Sequence, residues 1–138
     1  MSLPAGPFAL WSVSMSHEPD FHALCNSRDL AEGGLACSFD VVYGGQTCRA
    51  FAVRWRGTVH AYLNRCSHVA MELDWQPDRF FDISGHYLVC ASHGALFLPD
   101  TGACVGGPGR GGLTRIESVE RDGVVYWRSQ YNLKPVEI

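Results

Sequence analysis

The chain has 138 residues, of which 46% are hydrophobic and 18% charged, and its formal net charge is -3. This composition predicts one globular domain and excludes an intrinsically disordered chain. Lys134 is the only lysine among the eleven basic residues, and there is no basic run or stripe, which argues against binding to nucleic acid.

The N-terminal residues 1–20 are rich in Pro, Gly and Ser and predict an arm or tail on the surface. They contain no basic start and no uninterrupted apolar stretch, so no secretory signal is visible. No segment approaches the ~20 apolar residues that a membrane helix needs. We therefore expect a cytoplasmic protein without a membrane segment.

Short strands and turns fill the rest of the chain. The segment 27–34 predicts a turn or one short helical turn that its glycines end, and the glycine-rich segment 106–112 predicts a loop. No long amphipathic helix is evident. The pattern predicts an all-β domain, a small antiparallel barrel or sandwich over residues 21–130, followed by a C-terminal tail over 131–138. The strand candidates are 38–43, 48–55, 59–63, 87–91, 95–98, 113–119 and 124–129.

Two short motifs each combine a thiol with an imidazole. They are Cys66-Ser67-His68 and Cys90-Ala91-Ser92-His93, and each lies at the end of a strand candidate. Two such loops facing each other would form a site with two cysteine and two histidine ligands. A structural zinc site is one interpretation. The mixed order within each motif favours an iron–sulfur cluster in which one iron takes both thiolates and the other takes both imidazoles.

The motifs resemble those of the Rieske family, over roughly residues 23–129. The first loop, the His93-Gly94-Ala95-Leu96-Phe97 run, the Gly107-Pro108-Gly109 loop and the entry segment 29–33 all match. The resemblance implies one [2Fe-2S] cluster per chain, bound by Cys66, His68, Cys90 and His93. It also implies that Met71, Gly94, Ala95, Phe97 and Pro108 surround the cluster, with the proline loop covering it.

Departures from the family pattern predict the redox behaviour. Imidazole ligands leave the oxidised core neutral, which raises the potential above that of four-cysteine clusters. Respiratory-complex relatives carry an extra cysteine in each loop, where this chain has Met71 and Ser92, and hydroxyl side chains where it has Ala95 and Phe97. Without those hydroxyls we expect a reduction potential of about -150 mV, at the negative end of the Rieske range.

The resemblance implies a soluble ferredoxin-like carrier that passes single electrons from a flavoprotein reductase to an oxygenase or another redox partner. Nine residues follow Ser129, so we expect no oxygenase domain in this polypeptide, and no stand-alone catalytic site is visible. The alternative is a redox-sensing, structural or regulatory module of a larger complex.

Two further groups of residues leave both a functional and a structural interpretation open. The acids between the motifs could form a docking patch for a basic partner or simply face solvent. They are Glu72, Asp74, Asp78 and Asp82. His60 is predicted to be an ordinary hydrogen-bonded or solvated histidine. The other cysteines are predicted to be small buried hydrophobic residues rather than ligands. Those cysteines are Cys25, Cys37, Cys48 and Cys104.

Overall fold

The computed structural model describes residues 20–65, 72–74, 76, 78–90, 94–107 and 111–136. In this part of the chain the structure is almost entirely β, which confirms the predicted fold class. A single turn of 3-10 helix, Ser27–Asp29, lies within the segment predicted as a turn. The strands are β1 (Phe21–Asn26), β2 (Cys37–Tyr43), β3 (Gln46–Trp55), β4 (Thr58–Leu63), β5 (Leu88–Val89), β6 (Leu96–Phe97), β7 (Cys104–Gly106), β8 (Arg115–Ile116), β9 (Ser118–Arg121), β10 (Val124–Arg128) and β11 (Leu133–Pro135).

The strands form three antiparallel sheets. One has the order β1-β10-β9, the second β11-β2-β3-β4-β8 and the third β5-β6-β7. We call the first two sheets, residues 20–65 and 111–136, the base. We call the third sheet and its flanking described residues, 72–107, the tip. No helix in the described ranges is long and apolar enough to cross a membrane.

The two faces of β3 pack against different cores. Because side chains alternate along a strand, Phe51 and Val53 point toward the residues of the tip, whereas Ala50 and Ala52 face the interior of the base. The central hairpin of the base therefore serves as the platform on which the tip is built. The core shared with the tip also includes Tyr62 of β4.

Three features of the base differ from the predicted strands. β1 was not predicted, and β11 lies in the segment predicted as a C-terminal tail. Leu133 of β11 pairs with Tyr43 and is buried, so the five-stranded sheet continues past the predicted boundary. The predicted strand 113–119 is two strands, because the chain leaves one sheet at Ile116, where β8 pairs with β4, and enters the other at Ser118, where β9 pairs with β10.

Candidate cluster site

The second ligand motif begins on a closed turn at the end of β5. Cys90 is fully buried. Its backbone N–H donates to the carbonyl of Ala95 at 2.9 Å, and the Gly94 N–H donates back to the carbonyl of Cys90 at 2.7 Å. These two bonds fix the positions where the chain leaves and rejoins the described structure around residues 91–93. Cys90, one predicted sulfur ligand, therefore lies where two backbone hydrogen bonds hold the chain.

A glycine contact brings a second loop against this turn. Gly107 has φ +76°, and a Cβ added there would lie 2.7 Å from Ala95 Cα and 2.8 Å from the Gly94 carbonyl oxygen. Only a residue without a side chain permits so close an approach of two backbones. The loop that precedes Pro108 is therefore packed directly on Gly94 and Ala95, the two residues that follow the second ligand motif.

The first ligand motif follows Asn64, a buried polar residue at the end of β4. The Leu73 backbone N–H donates to Asn64 Oδ1 at 2.7 Å, and Asn64 Nδ2 donates to Asp74 Oδ1 at 3.1 Å. The two ends of the segment that carries Cys66 and His68 are thereby tied together. Sequence reasoning missed this residue; its signal is an amide side chain between a buried strand and a ligand motif.

The predicted site residues fall into two groups. The structure brings Cys90, Gly94, Ala95 and Phe97 together: Phe97 pairs with Leu88 across β5 and β6, and both Ala95 and Phe97 are fully buried. The others lie outside the described residues, so their positions stay predictions. They are Cys66, His68, Met71, His93 and Pro108.

The segment between the motifs packs into the core of the tip. Leu73, Phe80 and Phe81 are buried, and the ring of Phe80 stacks on Phe51 of the base with 3.8 Å between centroids. The segment therefore supplies part of the apolar core in which Cys90 also lies.

Three of the four acids in this segment form hydrogen bonds within the fold. Asp74 accepts from Asn64, Asp78 accepts from the hydroxyl of Ser38, and Asp82 Oδ1 accepts from the Ser84 hydroxyl at 2.8 Å and the Gly85 N–H at 3.1 Å. Glu72 is exposed. These contacts favour a structural role for Asp74, Asp78 and Asp82 over a docking patch.

The cysteines outside the motifs are partly rather than fully buried. Burial, with a smaller contribution from contact with the Cys37 thiol, raises the pKa of Cys25 to about 12. Thiolate, the form that binds metals and reacts, is therefore scarce there at neutral pH. Cys37 and Cys48 pack with Cys25 against the core of the base, and Cys104 packs against the core that the base shares with the tip.

The structure corrects the prediction for His60. It is only 8% exposed, and its Nδ1 has no hydrogen-bond partner among the described residues. Burial and the nearby Arg115 lower its pKa.

Within the described ranges, no three His, Cys, Asp or Glu side chains are grouped closely enough to hold a metal ion. Three of the four predicted ligands lie outside those ranges.

Comparison with known proteins identifies the family. A family model described as the Rieske [2Fe-2S] domain matches residues 20–129. The chain belongs to the Rieske [2Fe-2S] domain family. The search of curated proteins gave no match.

Several solved structures share the fold. The ferredoxin of carbazole 1,9a-dioxygenase from Nocardioides aromaticivorans IC177 is 22% identical, with a TM-score of 0.65 over 80% of this chain and 99% of that chain. The terminal oxygenase of carbazole 1,9a-dioxygenase from Novosphingobium sp. KA1 is 23% identical, with a TM-score of 0.64 over 87% of this chain but 32% of that chain. A complex of reduced oxygenase and oxidized ferredoxin in carbazole 1,9a-dioxygenase contains a chain that is 21% identical, with a TM-score of 0.62 over 85% of this chain and 97% of that chain.

The described residues fit the family's cluster. Cys90 places a buried thiol on a turn that two backbone hydrogen bonds close, and Gly107 leaves the room that a covering loop needs beside Ala95. A [2Fe-2S] cluster is therefore the cofactor of this domain, and Cys66, His68, Cys90 and His93 remain its predicted ligands.

Proposed function

We propose that the chain is an electron carrier of the ferredoxin type, accepting and donating one electron at a time. The observation that carries the proposal is the buried, backbone-fixed position of Cys90 in a domain of the Rieske family. The alignment with nearly all of a ferredoxin chain supports it.

When bound, the cluster supplies reversible one-electron chemistry. The protein's contribution is to hold the ligands at fixed distances and to control the polarity around them. Full burial of Cys90 keeps water away from its thiolate, and the backbone hydrogen bonds to Gly94 and Ala95 restrain the backbone that carries this sulfur. Ligands that keep their positions lower the reorganisation energy of electron transfer.

The proposed potential is low, about -150 mV. Ala95 and Phe97 are fully buried and carry no hydroxyl that could donate to the cluster. We expect Ala95→Ser and Phe97→Tyr each to raise the potential measured by protein-film voltammetry, because a hydroxyl donor stabilises the reduced form. Ala103→Ser is the matched control, because Ala103 is exposed in the turn between β6 and β7. A wild-type potential well above zero would contradict the low-potential proposal.

The proposed partners are a flavoprotein reductase that uses a nicotinamide cofactor and an oxygenase or another acceptor. The complex of oxygenase with ferredoxin in the carbazole system supports an oxygenase as the acceptor. A cytoplasmic location is part of the same proposal.

Stopped-flow absorbance tests the carrier role. NADH and a flavoprotein ferredoxin reductase should reduce the wild-type protein, and oxidised cytochrome c should then reoxidise it. Dithionite-reduced protein should show the low-field-shifted paramagnetic resonance signal of a Rieske cluster. Cys90→Ala should abolish both the electron exchange and the resonance signal, because a buried thiolate ligand is lost. A cluster that dithionite reduces but that exchanges no electrons with either protein would instead favour the sensing or structural role.

A further inference from the structure

The segment that carries Cys66 and His68 starts and ends at one side chain. Asn64 directly follows β4 and is 7% exposed. Its Oδ1 accepts from the Leu73 N–H at 2.7 Å, and its Nδ2 donates to Asp74 Oδ1 at 3.1 Å. Its own backbone N–H donates to the carbonyl of Arg49 on β3 at 2.9 Å. The amide therefore joins the entry of the ligand segment to its exit and fixes both to the central hairpin.

The exit is held from the other side as well. Asp74 Oδ2 accepts from the Asp78 N–H at 3.2 Å, and the Asp78 carboxylate accepts from the hydroxyl of Ser38 on β2. Leu73 is fully buried. A chain of hydrogen bonds thus runs from the end of β4, through Asn64 and Asp74, back to the same five-stranded sheet.

We propose that Asn64 is a positioning residue for the cluster. Its carboxamide sets the separation between the two ends of the first ligand segment and so keeps Cys66 and His68 in register with the second motif. A buried amide costs free energy unless each polar atom is paired, and here both side-chain polar atoms are paired with the exit of the segment. The inference requires membership of the Rieske family and does not depend on the electron-carrier role.

The hydrogen-bond pattern permits a reciprocal test. In Asn64→Asp the introduced carboxylate still accepts from Leu73 but faces the carboxylate of Asp74. In Asp74→Asn the introduced amide still accepts from Asp78 but faces the amide of Asn64. In the double variant the amide and the carboxylate exchange places, and every hydrogen bond can form again.

The measurement is the rate at which the cluster is lost in air with an iron chelator present, followed by visible absorbance. We expect Asn64→Asp to accelerate loss by about tenfold or more, because a mismatched buried pair costs about as much as one lost hydrogen bond. Asp74→Asn should act in the same direction, and the double variant should return to within about twofold of wild type. Both single variants should also shift the resonance signal of the reduced protein, and the double variant should restore it.

Asn26→Asp is the control for added charge, because Asn26 lies exposed at the end of β1 in the base. Thermal unfolding monitored by circular dichroism separates positioning from general stability. The proposal holds if the rate of cluster loss and the resonance signal change while the unfolding temperature remains equal to that of Asn26→Asp. It is overturned if Asn64→Asp loses its cluster no faster than Asn26→Asp. It is equally overturned if the double variant is no better than the single variants, or if the unfolding temperature alone falls. If Asn64→Asp does not accumulate, Asp74→Asn and the double variant decide the question by the same criteria.

Discussion

The base and the tip are held together in different ways. In the base, β2 and β3 pair at seven successive positions and β3 and β4 at six. In the tip, β5 and β6 pair at two, and the chain is fixed by the closed turn at Cys90, the glycine contact at Gly107 and the side chains of Asn64 and Asp82. The stability of the base is distributed over many hydrogen bonds between long paired strands, whereas the tip depends on a few individual contacts. Changes in the tip should therefore alter the site while leaving the base folded.

The largest effect is expected for Gly107→Ala. The added Cβ would lie 2.7 Å from Ala95 Cα, where only backbone could move, and φ +76° is unfavourable for alanine. We expect most of the bound iron and sulfide per chain to be lost, while the circular dichroism of the base is retained.

Gly123→Ala is the matched control for this change. Gly123 has φ +79° in the turn between β9 and β10, but no atom lies within 4 Å of an added Cβ. It should cost roughly 1–2 kcal/mol of backbone strain and leave the iron content unchanged. Equal iron loss in both variants would show that the contact with Ala95 does not matter.

Tyr62→Phe tests the connection between base and tip and should have the next largest effect. The hydroxyl of this fully buried tyrosine of β4 donates to the carbonyl of Pro99 in the tip at 2.7 Å, and burial raises its pKa to about 12. Losing the donor leaves a buried carbonyl unpaired, which costs about 1–3 kcal/mol. Urea unfolding should show this loss, and amide exchange should quicken around Pro99.

The control for Tyr62→Phe is Tyr131→Phe, in which the hydroxyl is removed from a tyrosine that is 94% exposed. Its urea midpoint should match wild type. If exchange quickened equally throughout β2 and β3, the tip would not be a separately stabilised region, and the comparison with the base would fail.

Much of the base could be predicted from the sequence. The hairpin of β3 and β4 consists of two nearly continuous apolar runs around a glycine turn. Such runs are typical of strands whose two faces are both buried, as they are here. β1 and β11 were missed because their sequences alternate weakly. They are strands because β10 and β2 offer them unpaired edges, and that information lies elsewhere in the chain.

The ligand motifs could be predicted as well, because spacing and residue type define them. The supporting contacts could not. Nothing local in the sequence shows that Gly107 will meet Ala95, or that Asn64 will bind the backbone of Leu73 nine residues later. The hydrogen bonds of the acids after the first motif could not be predicted either. Asp74 and Asp78 bind Asn64 and Ser38, which are distant in the sequence, and Asp82 binds Ser84 in a local turn.

The smallest effect concerns a charge pair that belongs wholly to the base. Arg54 donates to Glu120 Oε2 at 2.6 Å and also to the carbonyl of Leu30 at 2.7 Å. The hydrogen bond from Arg54 holds the pKa of Glu120 below its ordinary value of 4.5. A carboxylate with a lowered folded-state pKa stabilises the fold above its ordinary value, and this contribution is lost as the pH falls through the folded-state pKa.

Glu120→Gln should therefore lower the free energy of unfolding at pH 7 by up to about 1 kcal/mol, because the pair is partly exposed and screened. The difference from wild type should shrink as the pH is lowered below 4.5, when the wild-type carboxylate is itself protonated. Urea unfolding of wild type and Glu120→Gln between pH 7 and a pH below 4.5 measures this difference in the free energy of unfolding. Glu117→Gln is the control, because the pair of Glu117 with Arg128 is more exposed. Cluster content should stay the same in all three proteins, because the contact touches neither ligand motif. Cluster loss in Glu120→Gln would show that the base transmits strain to the tip, and the two regions would then have to be treated as one.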